Sequence, residues 1–506
     1  MSQANCESPT MDRATRKEGA FPPGSSAPKE RTMTAQGNAL GNGGDGDASP
    51  EGVYYERPET GHVAGGVVRP YRADWAHTSG SRASPWAIIV RPVGAAETRP
   101  SRGGTRSPIG MCVLFMFASA VSAGEAKEPG VMALSPDRCF AVRGDLTNSR
   151  IKIEREKKAR VAFLGGSITE ANGWRVFTAE LLQKRYPDTK FDFVNAGISS
   201  TDTTLAPFRL KTTVFPKGSV DLLFFEFAVN DLHNSRTTIE SIRGVEGIIR
   251  QARTLNPAID LVILYCADED KMDYVRKGQV APQIAAHEKV AQYYAVSAID
   301  LAREVTLRID KGEFDWKKFG GLHPSPFGHQ LYAASIGRFL DAAWKEPLPA
   351  DATVKPHALP DKPLDPHHYG RGRFVDIKEA TLVSGWRLVP NWKPLKGATR
   401  KQFVNCPVLE ATEPGATLRL KFSGTAIGVL EAAGYDVGIL EFSFDGAPFR
   451  RLDQFTQWSG GLHIPWAYIF DAELSPGDHE LTLRMSADKN PKSQGHAARI
   501  IQFLAN

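Results

Sequence analysis

One stretch restricts the fold more than any other: Val161-Ala162-Phe163-Leu164-Gly165-Gly166-Ser167-Ile168-Thr169. Four apolar residues in a row suit a strand covered on both faces, as in a parallel sheet. The two glycines that follow let the backbone turn sharply and come close to a bound group. Ser167 then stands at the C-terminal end of the strand, where open α/β sheets place their ligands. A serine is a weak nucleophile at neutral pH until a base takes its proton. The stretch therefore predicts a histidine and oxyanion donors elsewhere in the chain.

From about 140 to 345, strand-like and helix-like patterns alternate. The strand-like runs are Arg160–Leu164, Phe191–Asn195, Leu222–Val229, Leu261–Cys266 and Ala295–Leu301. Helical periodicity covers Trp174 to Arg185, Ile239 to Leu255 and Ile284 to Tyr294. A last helix opens at Ser325-Pro326, an N-capping residue followed by a proline at the first helical position, and runs to about Trp344. This alternation predicts an α/β domain: a doubly wound parallel sheet of about five strands with right-handed crossovers. Residues 346–370 carry six prolines, Pro347, Pro349, Pro356, Pro360, Pro363 and Pro366, and read as an extended, semi-rigid linker.

Residues 371–506 change pattern. Strand-like runs lie at Phe374–Ile377, Leu418–Phe422, Ile427–Glu431, Gly438–Phe444, Ala467–Phe470, His479–Met485 and Ala498–Phe503. Asp445-Gly446 and Pro476-Gly477 are turn signals. Many short strands without helices predict an all-β, jelly-roll-like sandwich. Trp458, Trp466 and Tyr468 suit either glycan stacking or a core, and the core is the commoner place for a sandwich aromatic.

The N-terminal part differs from both. Residues 1–105 are rich in Gly, Ser, Pro, Arg and Ala and hold no apolar period. They read as disordered, or as lying upstream of the true start. Residues 106–123 follow Arg102 and Arg106 with an apolar run from Ile109 to Ala120 and end in Val121-Ser122-Ala123. That order reads as a signal peptide, hence export to the periplasm or the outside. The run is too short to span a bilayer. Cleavage after Ala123 would remove Cys112 and leave Cys139, Cys266 and Cys406, with Cys266 in an apolar run that reads as core. The five cysteines are widely spaced, and neither a zinc site nor a disulfide framework is indicated. A formal net charge of +5 makes no case for nucleic acid or an anionic membrane.

Four motifs of the α/β region carry chemistry: Gly165-Gly166-Ser167-Ile168-Thr169, Asn195-Ala196-Gly197, Glu226-Phe227-Ala228-Val229-Asn230-Asp231 and Gly321-Leu322-His323-Pro324. The first three close strands, and the fourth precedes the final helix. A doubly wound sheet brings such positions to one edge. Ser167 can attack an acyl carbonyl, and His323 can take its proton and return it to the leaving alcohol. The Ser167 N–H, the Gly197 N–H and the Asn230 side-chain amide can serve as oxyanion donors. Taken singly, each motif is more often a turn, a cap or a loop histidine.

In this order and spacing the four motifs resemble the blocks of the SGNH (GDSL-like) hydrolase superfamily, over roughly residues 158 to 340. The resemblance implies a flavodoxin-like α/β fold and matches Ser167, Gly197, Asn230 and His323 to that family's Ser, Gly, Asn and His. It implies a serine esterase that works through an acyl-enzyme, with neither metal nor cofactor, but does not by itself give the substrate. Export and a β-sandwich partner, with the family's range, add the expectation of a small-molecule or polysaccharide ester, O-acetyl on a carbohydrate. One position departs. Where the family places an aspartate three residues before the histidine, this chain has Gly320. Asp315 or Glu313 could substitute from the same loop, or a backbone carbonyl could hold the imidazole. Loss of the acid removes tautomer control. It motivates a second reading, a carbohydrate-binding or scaffold protein with degraded catalysis. A third reading, a lipid-acting esterase, predicts a wide apolar patch around the crevice.

Remaining candidates read as structural. His233, His287 and His329 suit surface or packing roles, and His367-His368 belongs to the linker. Glu226 is unusual in an apolar strand and is expected to bond a helix or Arg209. Thr169, Glu170 and Trp174 either line the pocket or, for Trp174, pack in the core.

Overall fold

The computed structural model describes residues 139–144 and 146–506. The N-terminal extension 1–105 and the signal-peptide segment 106–123 lie outside the described residues. Six strands build the first sheet: β1 (Phe140–Ala141), β2 (Lys158–Gly165), β3 (Lys190–Gly197), β4 (Leu222–Phe225), β5 (Asp260–Leu264) and β6 (Ser297–Ile299). Their order is β1-β6-β5-β4-β2-β3. Strands β2 to β6 pair in parallel, and β1 adds an antiparallel edge to β6. From β2 the chain first goes outward to β3 and then returns to β4 on β2's other side. The strand order thus reverses at the carboxyl end of β2, the place where such sheets bind ligands.

The helices are α1 (Thr147–Arg150), α2 (Ser167–Glu170), α3 (Trp174–Arg185), α4 (Ala206–Thr213), α5 (Ala228–His233) and α6 (Thr238–Leu255). After them come α7 (Glu269–Arg276), α8 (Pro282–Tyr293), α9 (Leu301–Asp310), α10 (Trp316–Phe319) and α11 (Pro326–Ala343). Local chemistry sets their starts. Thr237 and Glu240 form a capping box on α6. Ser325 accepts from the Gly328 N–H with Pro326 in the first turn of α11. Strands β4 and β5 are buried along their whole length, as their continuous apolar runs predict.

The third strand is corrected. The run Leu222–Val229 reads as one strand, yet β4 stops at Phe225 and Ala228-Val229 begin α5. β2 turns away after Gly165, so beyond the Glu226 N–H, which reaches Leu164 O at 3.1 Å, the ladder on that side has ended. Asn230 and Asp231 therefore ride on a short helix rather than closing a strand. Likewise β6 is only Ser297–Ile299, and Leu301 already starts α9.

The proline-rich segment is a strap laid on the α/β domain. The Arg250 and Arg253 guanidiniums donate to Pro360 O and Ala358 O. Glu246 accepts from the backbone N–H groups of Leu364 and Asp365. Tyr369 at its end is buried.

Twelve further strands follow: β7 (Arg373–Val375), β8 (Thr381–Ser384), β9 (Arg387–Trp392), β10 (Ala398–Thr399), β11 (Cys406–Ala411) and β12 (Thr417–Gly424). The remainder are β13 (Ile427–Ala433), β14 (Ile439–Phe444), β15 (Arg450–Asp453), β16 (Leu462–Asp471), β17 (Gly477–Met485) and β18 (Ala498–Ala505). One sheet runs β10-β16-β13-β18-β11-β9, with β7 on β18; the other runs β15-β14-β17-β12-β8. They form a sandwich-like region whose interior is packed by Ile427, Val429, Leu418, Leu420, Leu440 and Leu481. The other face of the first sheet packs on the α/β domain: Leu430, Ala432, Ile501 and Leu504 meet Leu205, Phe208 and Tyr369 in one apolar cluster. Among the described residues no helix is long and apolar enough to cross a membrane.

Candidate active site

The nucleophile turn is built around three absent side chains. A Cβ on Gly165 would lie 2.2 Å from Glu226 Oε1, one on Gly166 2.5 Å from Asn230 Oδ1, and one on Gly197 2.3 Å from the Glu170 backbone nitrogen. Each glycine admits a neighbour that no Cβ would allow. Ser167 is half-buried at the first position of α2. Its Oγ lies 2.9 Å from His323 Nε2, which the loop between α10 and α11 delivers. Gly197 ends β3 beside Gly165. Four residues distant in sequence thus share the carboxyl edge of one sheet.

One expected donor is already engaged. The Gly197 N–H donates to Asn195 Oδ1 at 3.0 Å. It can bind an oxyanion only if Asn195 shares it or turns away.

Asn230 is held through its neighbour. The fully buried Asp231 accepts from the Thr203 N–H (3.0 Å), Thr203 Oγ1, Ser241 Oγ (2.7 Å) and His287 Nε2 (2.9 Å). Burial alone would raise its pKa, but these bonds, led by His287, hold it below the ordinary value. His287 is therefore a buried packing residue.

The acids expected near His323 have other partners. Asp315 caps α10 by accepting the Lys318 N–H at 2.6 Å, and Glu313 pairs with Arg308 at 2.7 Å. Position 320 has no room for an acid: Gly320 has φ +109°, and a Cβ there would lie 1.9 Å from Ser325 N. His329 packs its ring against Gly173, and burial with nearby His323 pulls its pKa down to about 4.

Glu226 and Arg209, both buried, lie beneath the turn. Glu226 Oε1 accepts from the Gly166 N–H (3.0 Å) and Thr169 Oγ1 (2.6 Å). Arg209 donates to Gly165 O (3.0 Å) and Ala196 O (2.7 Å). Burial raises the Glu226 pKa to about 7, against the opposing bonds from Thr169 and Gly166. Burial lowers that of Arg209 to about 9. Neither Thr169 nor Trp174 lines a pocket. Thr169 is buried against Glu226, and Trp174 stacks edge-on to Phe163 in the core. Glu170 faces the sandwich, where Gln402 Nε2 donates to it at 2.6 Å and Lys401 pairs with it at 3.2 Å. Of the sandwich aromatics, Tyr468 is core, Trp466 lies under the Arg236 guanidinium at 4.8 Å, and Trp458 is exposed. Sequence reading had no signal for the Asn195 or Asp231 contacts, which depend on side-chain direction.

A mostly parallel sheet of six strands whose order reverses at β2 defines a doubly wound α/β domain. Residues 163–331 match the GDSL-like Lipase/Acylhydrolase family and form a GDSL-like (SGNH) hydrolase domain, followed by a largely β C-terminal region. A solved two-domain esterase active on acetylated mannans, co-crystallised with mannopentaose, is similar at 19% identity and a TM-score of 0.59, over 74% of this chain and 98% of that one. A second structure of a two-domain esterase active on acetylated mannans matches at 19% identity and a TM-score of 0.59, over 73% of this chain and 97% of that one. An acetylxylan esterase from Geobacillus stearothermophilus is 18% identical over 36% of this chain and 93% of its own, with a TM-score of 0.30. A search of curated proteins found no match.

Proposed function

We propose that the protein is an exported serine esterase that removes a small acyl group, O-acetyl, from a carbohydrate. The observation that carries the reading is the 2.9 Å contact between Ser167 Oγ and His323 Nε2 at the switch point of the sheet. With Nε2 unprotonated, His323 accepts the Ser167 proton as Oγ attacks the ester carbonyl. The tetrahedral oxyanion is met by the Ser167 N–H and the Asn230 amide, with the Gly197 N–H joining when Asn195 releases it. His323 then protonates the leaving alcohol, and water repeats the sequence on the acyl-enzyme. Every step uses side chains and backbone of this chain. The carbohydrate assignment is supported by the two-domain likeness to an esterase active on acetylated mannans. Export is supported by the order of basic, apolar and small residues before Gly124.

Initial rates on 4-nitrophenyl acetate and on acetylated mannan test the reading, with Ser167→Ala and His323→Ala alongside. Both variants should fall to background on both substrates. A folded parent no faster than the variants would favour the scaffold reading. A preference rising with acyl-chain length would favour a lipid substrate.

A further inference from the structure

We propose that Glu226 is a positioning residue for the reaction at Ser167, fixing the Gly165–Gly166 peptide, next to the one that carries the Ser167 N–H, from beneath the nucleophile turn. The inference rests on the ester-hydrolase reading. Glycine has more backbone freedom than any other residue. Here both peptide groups of Gly166 are tied down. Its N–H donates to Glu226 Oε1 at 3.0 Å, and its C=O accepts the Glu170 N–H at 2.9 Å. The Ser167 N–H belongs to the same peptide plane as that carbonyl. A rotation at Gly166 would therefore swing an oxyanion donor and the Ser167 side chain together. Preorganised donors of this kind supply much of the transition-state stabilisation in acyl transfer.

The surroundings show how the hold is made. Gly165 lacks the Cβ that would collide with Glu226 Oε1, so the carboxylate reaches the turn. Thr169 Oγ1, one helical turn into α2, donates to the same oxygen at 2.6 Å, so Glu226 binds both ends of the segment that bears Ser167. Arg209 takes the carbonyls of Gly165 and Ala196 at the ends of β2 and β3.

Stability alone is poorly served. Glu226 is 1% exposed, and its Oε2 has no hydrogen-bond partner. A buried polar atom without a partner is costly. Such arrangements concentrate where a geometry is needed for chemistry.

The test uses the full chain and initial rates on 4-nitrophenyl acetate, with thermal melts in parallel. It compares the parent with Ser167→Ala, Glu226→Ala, Glu226→Gln and Thr169→Val. Glu226→Ala should lower kcat by about 30- to 100-fold, with KM within about twofold. Glu226→Gln keeps an oxygen able to accept both bonds and should restore kcat to within about fivefold of the parent. Thr169→Val keeps the acid and removes one donor, so it should lower kcat by about three- to tenfold. If Glu226→Ala keeps a parental kcat while Ser167→Ala is dead, the positioning role is overturned and the esterase reading stands. Equal losses in the Ala and Gln variants overturn it as well, since acceptor geometry would then not matter. A parent no faster than Ser167→Ala overturns the esterase reading and this inference together. Should Glu226→Ala fail to fold, Thr169→Val decides: a lowered kcat at constant KM supports the proposal, and a parental kcat overturns it.

Discussion

Glu226 and Glu431 are the same side chain, both buried, one just past the end of a central strand of the α/β sheet and one within a central strand of the sandwich. Burial raises the first to a pKa of about 7 and the second to about 8. Their partners differ. Glu226 holds the Gly166 N–H and Thr169, whereas neither oxygen of Glu431 has a hydrogen bond. The cause is position along the strand. Glu431 stands within β13, paired with Trp466 on one side and Ile500 on the other, where the ladder already satisfies backbone groups. Glu226 stands just past the end of β4, beside a turn whose N–H groups have left the ladder. Glu226 can hold backbone because the sheet beside it has stopped doing so. Glu431, in mid-strand, meets no free N–H.

The largest effect should fall on the nucleophile and base. Ser167→Ala and His323→Ala should each lose about 10³-fold or more in kcat on 4-nitrophenyl acetate. In the same assay Glu431→Gln should stay within about twofold of the parent, since Glu431 alternates along β13 with Leu430 and Ala432 and shares the side of Val429 and Ala433, which pack the sandwich interior. A large loss in Glu431→Gln would break the comparison.

Next comes Gly320→Asp, which writes the family's acid back into the sequence. The left-handed φ and the 1.9 Å approach to Ser325 N leave no space for it. Urea unfolding should show a loss of at least about 2 kcal/mol, with no gain in kcat. A stable and faster variant would mean that the loop reshapes easily.

A smaller effect is expected from pH. Glu431 has a folded pKa of about 8 against an ordinary value of 4.5, so the folded state binds the extra proton between those values. The stability it contributes is present below about pH 4.5 and is lost as pH rises towards 8. Glu226 acts in the same direction up to about pH 7. Melting temperatures of the parent and Glu431→Gln should therefore converge at low pH and separate in favour of the variant as pH rises. A constant difference from pH 5 to pH 9 would show that Glu431 is not the titrating group.

The smallest effect belongs to the rim. Lys401 is 80% exposed, and its pairing with Glu170 is screened by water. Lys401→Ala should change kcat/KM for acetylated mannan by less than about twofold. A tenfold loss would give the sandwich loop a part in substrate binding that the comparison of the two glutamates does not include.

Much of this was legible in the chain. Apolar runs and helical periods are local, so the parallel sheet, α3, α6, α8, α11 and the change to short strands after 370 could be read directly. The short β1 escaped because two residues hold no period, and α5 escaped because Phe224 to Val229 is as apolar as a strand. The linker was visible as prolines, but its docking depends on Arg250, Arg253 and Glu246, a hundred or so residues away.

At the site the same division holds. Four short motifs named Ser167, Gly197, Asn230 and His323, because turn glycines and strand-end polar residues are marked by their immediate neighbours. Which group holds which was decided by the fold. Glu226 meets Gly166 across 60 residues because β4 lies beside β2, and His287 meets Asp231 across 56 because α8 packs beside α5. Sequence determined the order of the chemical groups, since that order follows from periods and turns a few residues long. Tertiary structure alone chose their partners, since a hydrogen bond depends on distance and direction in space, which no spacing along the chain records.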